Sequence, residues 1–266
     1  MSDSDVLETT PKLKVLTLVA DSYRMMFGNL GTMARIFWLP AVVTLVISYR
    51  FDAQKDTAEL QTQLGSLLEP MYLLYIAVSW VVMAGAYVSL HRFVLRGAKP
   101  PQLGFTFEKR ELRYLGYSIA ILAALMLPLS VLLLIEAALA QMSDIVFSAL
   151  SVVVLFFTFI GVVRLGLVLP AISLDQAGGL LWRFQSAWML AKGHTFTMFI
   201  AQIVGLLPFV LITWIWPYQI ISSATDLITT VILNVLSWLS YAVMISMISI
   251  AYRILERGNA EQQAKA

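Results

Sequence analysis

The sequence has no cysteine, only two histidines and few charged residues: Asp, Glu, Lys and Arg make up 13% of 266 residues. Without cysteine the chain cannot form disulfides, thiolate metal sites or a cysteine nucleophile. His91 and His194 lie far apart in the sequence, and neither has other potential ligands at the spacing of known metal sites. We therefore predict no bound metal and no cofactor.

Recognisable catalytic motifs are also missing. The chain contains no glycine-rich phosphate loop, no His-Glu-x-x-His motif and no nucleophile elbow. The acidic residues closest to the apolar segments fall at the ends of those segments and form no paired-carboxylate motif. We predict a non-enzymatic protein with no catalytic residue and no nucleic-acid partner.

The chain instead has a large excess of apolar residues. Hydrophobic residues make up 59% of it and the mean hydropathy is +0.81, whereas soluble domains are about half apolar and about a quarter charged. These values indicate an all-α polytopic membrane protein, because a helix satisfies its own backbone hydrogen bonds in lipid. The alternative is a soluble protein with an unusually large core.

Six apolar segments are long enough to cross about 30 Å of hydrocarbon at about 1.5 Å per residue. We expect residues 1–258 to form a single six-helix transmembrane domain and residues 259–266 to form a polar, disordered tail. The predicted transmembrane helices cover approximately 33–50, 71–91, 114–136, 145–168, 195–216 and 228–252.

The positive charges predict the orientation of these helices. With the N-terminus inside, all of the 18 Lys and Arg residues except Arg50 and Lys55 fall on the cytoplasmic side. Cytoplasmic connections of membrane proteins carry an excess of Lys and Arg. We therefore predict a multi-pass protein with both termini in the cytoplasm.

Two amphipathic segments precede transmembrane helices. Residues 13–27 and 180–191 carry apolar side chains at helical spacing, and glycines (Gly28 and Gly193) follow them. We predict both to be helices that lie in the cytoplasmic interface. A shorter and more charged counterpart at 105–117 is predicted to continue into the third transmembrane helix.

A Leu-Pro pair recurs in the first, third and fifth apolar segments, at Pro40, Pro128 and Pro208. Each proline removes a backbone hydrogen bond to the residue four positions earlier, so we expect helix kinks at matching depths. The second, fourth and sixth segments each have an arginine near their inner end. We interpret this pattern as three parallel repeats, each with an interfacial helix, a kinked helix and a return helix. The alternative is chance placement of three prolines.

Arg92, Arg164 and Arg253 are the arginines at these inner ends. A guanidinium group offers paired donors to phosphate, so we predict that the three contact anionic lipid headgroups or a small anion. The alternative is that each side chain simply extends to the phosphates of the cytoplasmic surface. Arg164 is the strongest candidate, because apolar residues continue beyond it to Pro170.

Gln202 and Asn234 are amides within the fifth and sixth segments. Such amides usually form hydrogen bonds between transmembrane helices. The alternative is that they line a polar pathway through the protein.

One stretch of the chain resembles the bacterial membrane-domain family named after glycerophosphoryl diester phosphodiesterases. The matching residues are Arg164, Pro170, the run Ser186-Ala187-Trp188-Met189-Leu190, Lys192-Gly193 and Leu207-Pro208. The resemblance is strongest over about 160–210 and weaker over 85–120. It implies a six-helix module of the bacterial inner membrane. The chain has no room for a phosphodiesterase barrel, so the resemblance implies no activity.

Two functions fit this sequence. We favour a non-enzymatic inner-membrane protein that binds or organises lipid, or holds a partner protein, at the cytoplasmic leaflet. The interfacial helices and inner arginines support this hypothesis. The alternative is a small transporter with a path between three hairpins, although no charged residue is predicted at the middle of the membrane.

Overall fold

The computed structural model describes residues 13–55, 70–101, 106–138, 144–175, 179–220 and 227–264. These ranges consist of helices and short connections and contain no strand. Their helices are α1 (Val15–Phe27), α2 (Leu30–Lys55), α3 (Pro70–Arg96), α4 (Lys109–Ala138), α5 (Asp144–Leu165), α6 (Val168–Ser173), α7 (Leu180–Leu190), α8 (Thr195–Ile220) and α9 (Leu227–Gln263).

Six stretches of this helical structure are long and apolar enough to cross a membrane. They confirm the predicted fold class, an all-α polytopic membrane protein. The corresponding spans in the described residues are Leu30–Ile47, Leu73–Arg96, Lys109–Val131, Ala149–Ser173, Thr195–Trp214 and Ile228–Glu261.

Consecutive spanning helices pack as three hairpins: α2 with α3, α4 with α5, and α8 with α9. The first helix of each hairpin also packs on the second helix of another hairpin. Thus α4 contacts α3, α8 contacts α5, and α2 contacts α9. The last of these contacts joins the first hairpin to the third, so the bundle closes on itself.

The short helices pack where the hairpins meet. Helix α1 lies against α8 and α9, with Leu18, Ser22 and Met26 buried. The Tyr23 hydroxyl donates a hydrogen bond of 2.8 Å to the carbonyl oxygen of Gly205 in α8. Helix α7 lies against α5, α6 and α9. Within the described residues 106–117 there is no separate helix, because α4 runs from Lys109 without interruption through the third span, as predicted.

All three Leu-Pro prolines lie inside spanning helices, Pro40 in α2, Pro128 in α4 and Pro208 in α8. Near each of them, a side-chain hydroxyl donates a hydrogen bond to a backbone carbonyl, and next to Pro208 this is Thr213 Oγ1 to Phe209 O at 2.9 Å. Thr44 Oγ1 donates to Pro40 O at 2.9 Å, and Ser130 Oγ donates to Met126 O at 2.9 Å. That the helices bend at these positions stays a prediction.

The basic end of the bundle, where α3, α5 and α9 carry their arginines, has a dense apolar core. Leu90 and Val94 of α3 pack there with Leu167 in the turn after α5, Val168 of α6 and Ala251 of α9, and all five are buried. Away from the basic end, many apolar side chains of the spanning helices are exposed and can contact lipid. Examples are Leu134, Val152, Phe157 and Trp214.

The fourth span differs from its prediction as one continuous helix. Helix α5 ends at Leu165, a turn follows at Gly166 and Leu167, and the chain resumes as the short helix α6. Val168, Ile172 and Ser173 of α6 are buried against the bundle. Several apolar residues beyond Arg164, among them Leu167, Val168 and Ile172, are therefore buried in protein within the last part of this span.

The chain beyond Gly258 also differs from the predicted disordered tail. Helix α9 continues to Gln263, and Gly258 lies inside it. In the similar Arg-x-x-x-Arg-Gly sequence of α3, the helix ends at Arg96, and Gly97 adopts a positive φ of 64°. A left-handed residue of this kind terminates a helix, whereas Gly258 remains helical and α9 continues past it to Gln263.

Candidate functional site

A cleft with a volume of 810 Å³ lies between α6, α7 and the C-terminal part of α9. Its size is within the range of about 300–1,000 Å³ that is usual for small-molecule sites. The floor is apolar and includes Leu167 and Val168, Ala187 of α7, and Leu255 of α9. The cleft therefore offers an apolar surface at the basic end of the bundle.

Polar groups of both signs surround this floor. Arg183, Lys192 and His194 line the cleft from α7 and the turn after it, and Glu256 lines it from α9. Burial lowers the pKa of His194 below its usual value, so near neutral pH its imidazole is uncharged. The charged groups of the cleft are then two cations on the α7 side and one anion on the α9 side.

The local sequence explains how α7 and the turn after it shape the cleft. Residues Leu180–Leu190 form a short helix, and the turn after it reaches Gly193, which has a φ of +83°. A side chain would be strained in this conformation, so glycine is favoured at the point where the chain turns into α8. This turn places Lys192 and His194 at the edge of the cleft.

Arg183 is a cleft residue that the sequence analysis did not single out. Its side chain is buried despite its charge, and its guanidinium carbon lies 5.6 Å from the centre of the Tyr117 ring. The signal was present, because Arg183 precedes Ala187 and Ala191 on one row of the α7 surface at four-residue spacing. Both alanines are buried, so this row faces the protein.

Arg164 interacts with the other side of α7. Its guanidinium carbon lies 4.4 Å from the centre of the Trp188 ring, and its Nε donates a hydrogen bond of 2.8 Å to Thr195 Oγ1. Thr195 is the first residue of α8. Arg164 therefore connects the end of α5 to both α7 and α8, and it helps to fix the helix that forms one wall of the cleft.

The other two predicted arginines make different contacts. Arg253 donates from Nη1 to the carbonyl oxygen of Val94 in α3, at 3.3 Å. The Nε atom of Arg92 is buried and has no hydrogen-bond partner among the described residues. Arg92, Arg164 and Arg253 thus share no contact group, and none of them lines the cleft. Their contact with an anion stays a prediction.

Asn234 forms a hydrogen-bond network between the first and last spanning helices. Trp238 Nε1 donates to Asn234 Oδ1 at 2.9 Å, and Asn234 Nδ2 donates to Thr44 Oγ1 at 3.1 Å. The hydroxyl of Thr44 then donates to Pro40 O, so each group has a partner. Gln202 is buried on α8 and makes no hydrogen bond to another described residue. Of the two amides, Asn234 therefore forms hydrogen bonds between helices in the described residues, as predicted.

A second buried network surrounds His91, which the sequence analysis considered only as a metal ligand. Its Nδ1 lies 2.7 Å from Ser249 Oγ, and its Nε2 lies 3.2 Å from the Tyr114 hydroxyl. Ser249 donates to the carbonyl oxygen of Ile245 at 2.8 Å, so its oxygen accepts from His91 Nδ1–H. Nε2 is then the acceptor for Tyr114. This directed chain joins α4, α3 and α9 and leaves no part of Ser249 exposed.

Salt bridges connect the start of α4 to neighbouring segments at the basic end. Arg110 bonds to Glu108 at 2.8 Å and to Asp175 at 3.1 Å, linking the start of α4 to the turn after α6. The buried carboxylate of Glu111 accepts from the Glu108 backbone N–H at 2.9 Å, which caps α4. No cluster of three or more potential metal ligands occurs within the part of the chain that the structure describes.

The described residues define an integral membrane protein, since they contain six helices able to span a membrane, and a cleft lies at their basic end. No family model, curated protein or solved structure matches the chain.

Proposed function

We propose that this protein is a non-enzymatic protein of the bacterial inner membrane that binds phospholipid at the cytoplasmic leaflet through the cleft between α6, α7 and α9. The observation that carries the proposal is the composition of this cleft. An apolar floor adjoins Arg183 and Lys192, which suits an amphipathic ligand whose acyl part contacts the floor and whose phosphate contacts the cations.

The exposed surface of α7 supports a position in the membrane interface. Leu181, Trp182, Trp188 and Met189 are all largely exposed. Such apolar and aromatic side chains are stabilised at the boundary between headgroups and acyl chains. A lipid entering the cleft from this boundary would keep its tail in the membrane. The distribution of Lys and Arg makes the cytoplasmic leaflet the proposed side, with both termini inside.

The cyclic packing supports three parallel repeats as the framework of this site. In the proposed arrangement, each kinked helix contacts the return helix of the preceding repeat, as α4 does with α3 and α8 with α5. The contact of α2 with α9 completes the cycle. The proposed interfacial helices also pack on the preceding repeat. Helix α1 of the first repeat contacts the third hairpin, and α7 of the third repeat contacts the second hairpin.

The resemblance to the membrane-domain family belongs to the same proposal. Several of the residues that carry it, among them Ser186, Leu190 and Lys192, line the cleft. The alternative of a transporter receives less support. The described residues contain a packed apolar core at the basic end, and Asn234 uses its amide between helices instead of facing a pathway.

Native mass spectrometry with matched phosphatidylglycerol and phosphatidylcholine tests lipid binding. Lys192→Gln should lower phosphatidylglycerol retention about five-fold, since a basic residue near an anionic surface contributes about 1 kcal/mol. Lys14→Gln is the matched control, because Lys14 is exposed on the other amphipathic segment and does not line the cleft. Equal retention in the two variants would refute the cleft as the binding site.

Arg164 variants test the predicted role of the inner arginines in the same measurement. Arg164→Gln should weaken retention of acidic lipid by removing its hold on α7. Arg164→Lys should restore it only in part, because an ammonium group cannot keep both the Nε contact and the stacking on Trp188. Unchanged retention in both variants would leave Arg164 with no role in lipid binding.

A further inference from the structure

Uncharged polar side chains line the cleft on both of its walls. Gln185 and Ser186 belong to α7, and Asn259 and Gln263 belong to the last turns of α9. All but Ser186 are exposed, and none of the four forms a hydrogen bond to another described residue. Their donors and acceptors are therefore free to bond to a ligand that enters between the two helices.

The charged residues of the cleft differ in how far they already interact within the protein. Arg183 is buried beside the ring of Tyr117. The Tyr252 hydroxyl donates a hydrogen bond of 3.1 Å to Glu256 Oε1. Arg183, Tyr252 and Glu256 also make further interactions within the protein. Lys192 is exposed and forms no ion pair with a described residue, so it is the cation most accessible to the phosphate of a ligand.

From this lining we propose that the cleft selects a phospholipid that has one phosphodiester charge and an uncharged headgroup with free hydroxyls, such as glycerol. The phosphate contacts Lys192, and the hydroxyls bond to the amides of Asn259 and Gln263. A primary amide has both donors and an acceptor, and so does a hydroxyl, so each of these pairs can form in either direction. A headgroup without hydroxyls leaves the amides to water and gains nothing from them.

This inference rests on the proposed lipid-binding function and assigns Asn259 and Gln263 as specificity-determining residues. Competition native mass spectrometry with equimolar phosphatidylglycerol and phosphatidylethanol of identical acyl chains measures the selectivity. Both lipids carry one phosphodiester charge, but only the glycerol headgroup has free hydroxyls. The wild-type protein should therefore retain more phosphatidylglycerol than phosphatidylethanol.

A double variant tests the two amides directly. Asn259→Ala combined with Gln263→Ala should reduce the ratio of retained phosphatidylglycerol to phosphatidylethanol about five-fold, the effect of about one net hydrogen bond. Glu261→Ala is the matched control, because Glu261 is exposed between them on the same helix and does not line the cleft. A ratio in the double variant equal to that in Glu261→Ala, or no preference in the wild type, would overturn the inference.

Lys192→Gln separates the inference from the function on which it rests. This variant should reduce retention of both lipids and change their ratio little, since both carry the phosphate. If Lys192→Gln loses lipid but the ratio is unchanged in the double variant, the cleft binds lipid and the headgroup assignment is wrong. If Lys192→Gln and Lys14→Gln retain lipid equally, the proposed function itself fails.

A soluble headgroup tests whether the ligand must be a lipid. Glycerophosphoglycerol, the deacylated form of phosphatidylglycerol, has the same phosphodiester and hydroxyls but no acyl chain. The apolar floor predicts that it displaces bound phosphatidylglycerol only at a large excess. Displacement at equal concentration would show that the cleft takes a water-soluble compound and would overturn the lipid assignment. Elution volume and far-UV circular dichroism of each variant confirm that it is folded.

Discussion

Replacing His91 tests whether the buried chain from Tyr114 to Ser249 stabilises the bundle. In His91→Phe the ring volume is largely kept, but the buried Tyr114 side chain loses the acceptor for its hydroxyl. Leaving a buried donor unpaired costs about 1–3 kcal/mol. Ser249 keeps its own acceptor, the carbonyl oxygen of Ile245, and therefore adds little to this cost.

The second variant makes the prediction specific to the hydrogen bond. Adding Tyr114→Phe to His91→Phe removes the orphaned hydroxyl, and replacing both partners by apolar groups of similar shape is nearly neutral. The double variant should thus be more stable than His91→Phe by about 1 kcal/mol, a value within the range for hydrogen bonds in membrane proteins.

Equilibrium unfolding in mixed micelles, followed by circular dichroism, measures these differences. Tyr114→Phe alone completes the double-mutant cycle and gives the coupling free energy between the two side chains. Simple addition of the two single effects would refute the reasoning, because it would show that the Tyr114 hydroxyl does not depend on His91.

Two further predictions concern orientation and pH. A cysteine at Ser143 should react with a membrane-impermeant thiol reagent in intact cells and one at Gln102 only after permeabilisation, because the arginine-rich side is predicted to face the cytoplasm; labelling at Gln102 in intact cells would contradict the proposed orientation. Burial lowers the pKa of His194, so its contribution to stability is complete above about pH 6.5 and decreases as the pH falls toward the lowered pKa. Unfolding measured across this range should depend less on pH in His194→Gln, and an identical dependence would show that another group titrates.

The hydropathy pattern alone determined the class of fold. Six apolar segments could be recognised because lipid forces each crossing segment to be helical, whatever its neighbours are. Short-range patterns were equally informative. The end of α7 before Gly193 and the continuation of α4 from Lys109 follow from local capping and periodicity, and both agree with the structure.

Local patterns failed where distant residues decide the conformation. The apolar stretch after Arg164 could be read as a continuation of the same helix in contact with lipid, but it forms the separate, buried helix α6, since hydropathy does not distinguish burial in protein from exposure to lipid. The residues after Gly258 are polar and could be read as disordered. They continue α9, whose end packs near α7 and forms a wall of the cleft.

The candidate site is the part that only the tertiary structure decided. Arg183 and Glu256 are separated by more than seventy residues and share a cleft because α7 and α9 pack at the same end of the bundle. His91 and Ser249 are likewise joined by helix packing. The sequence identifies such residues by type, but a spacing rule holds only within one helix. Which polar groups meet across helices depends on the rotation and packing of each helix, and these are set by the whole core.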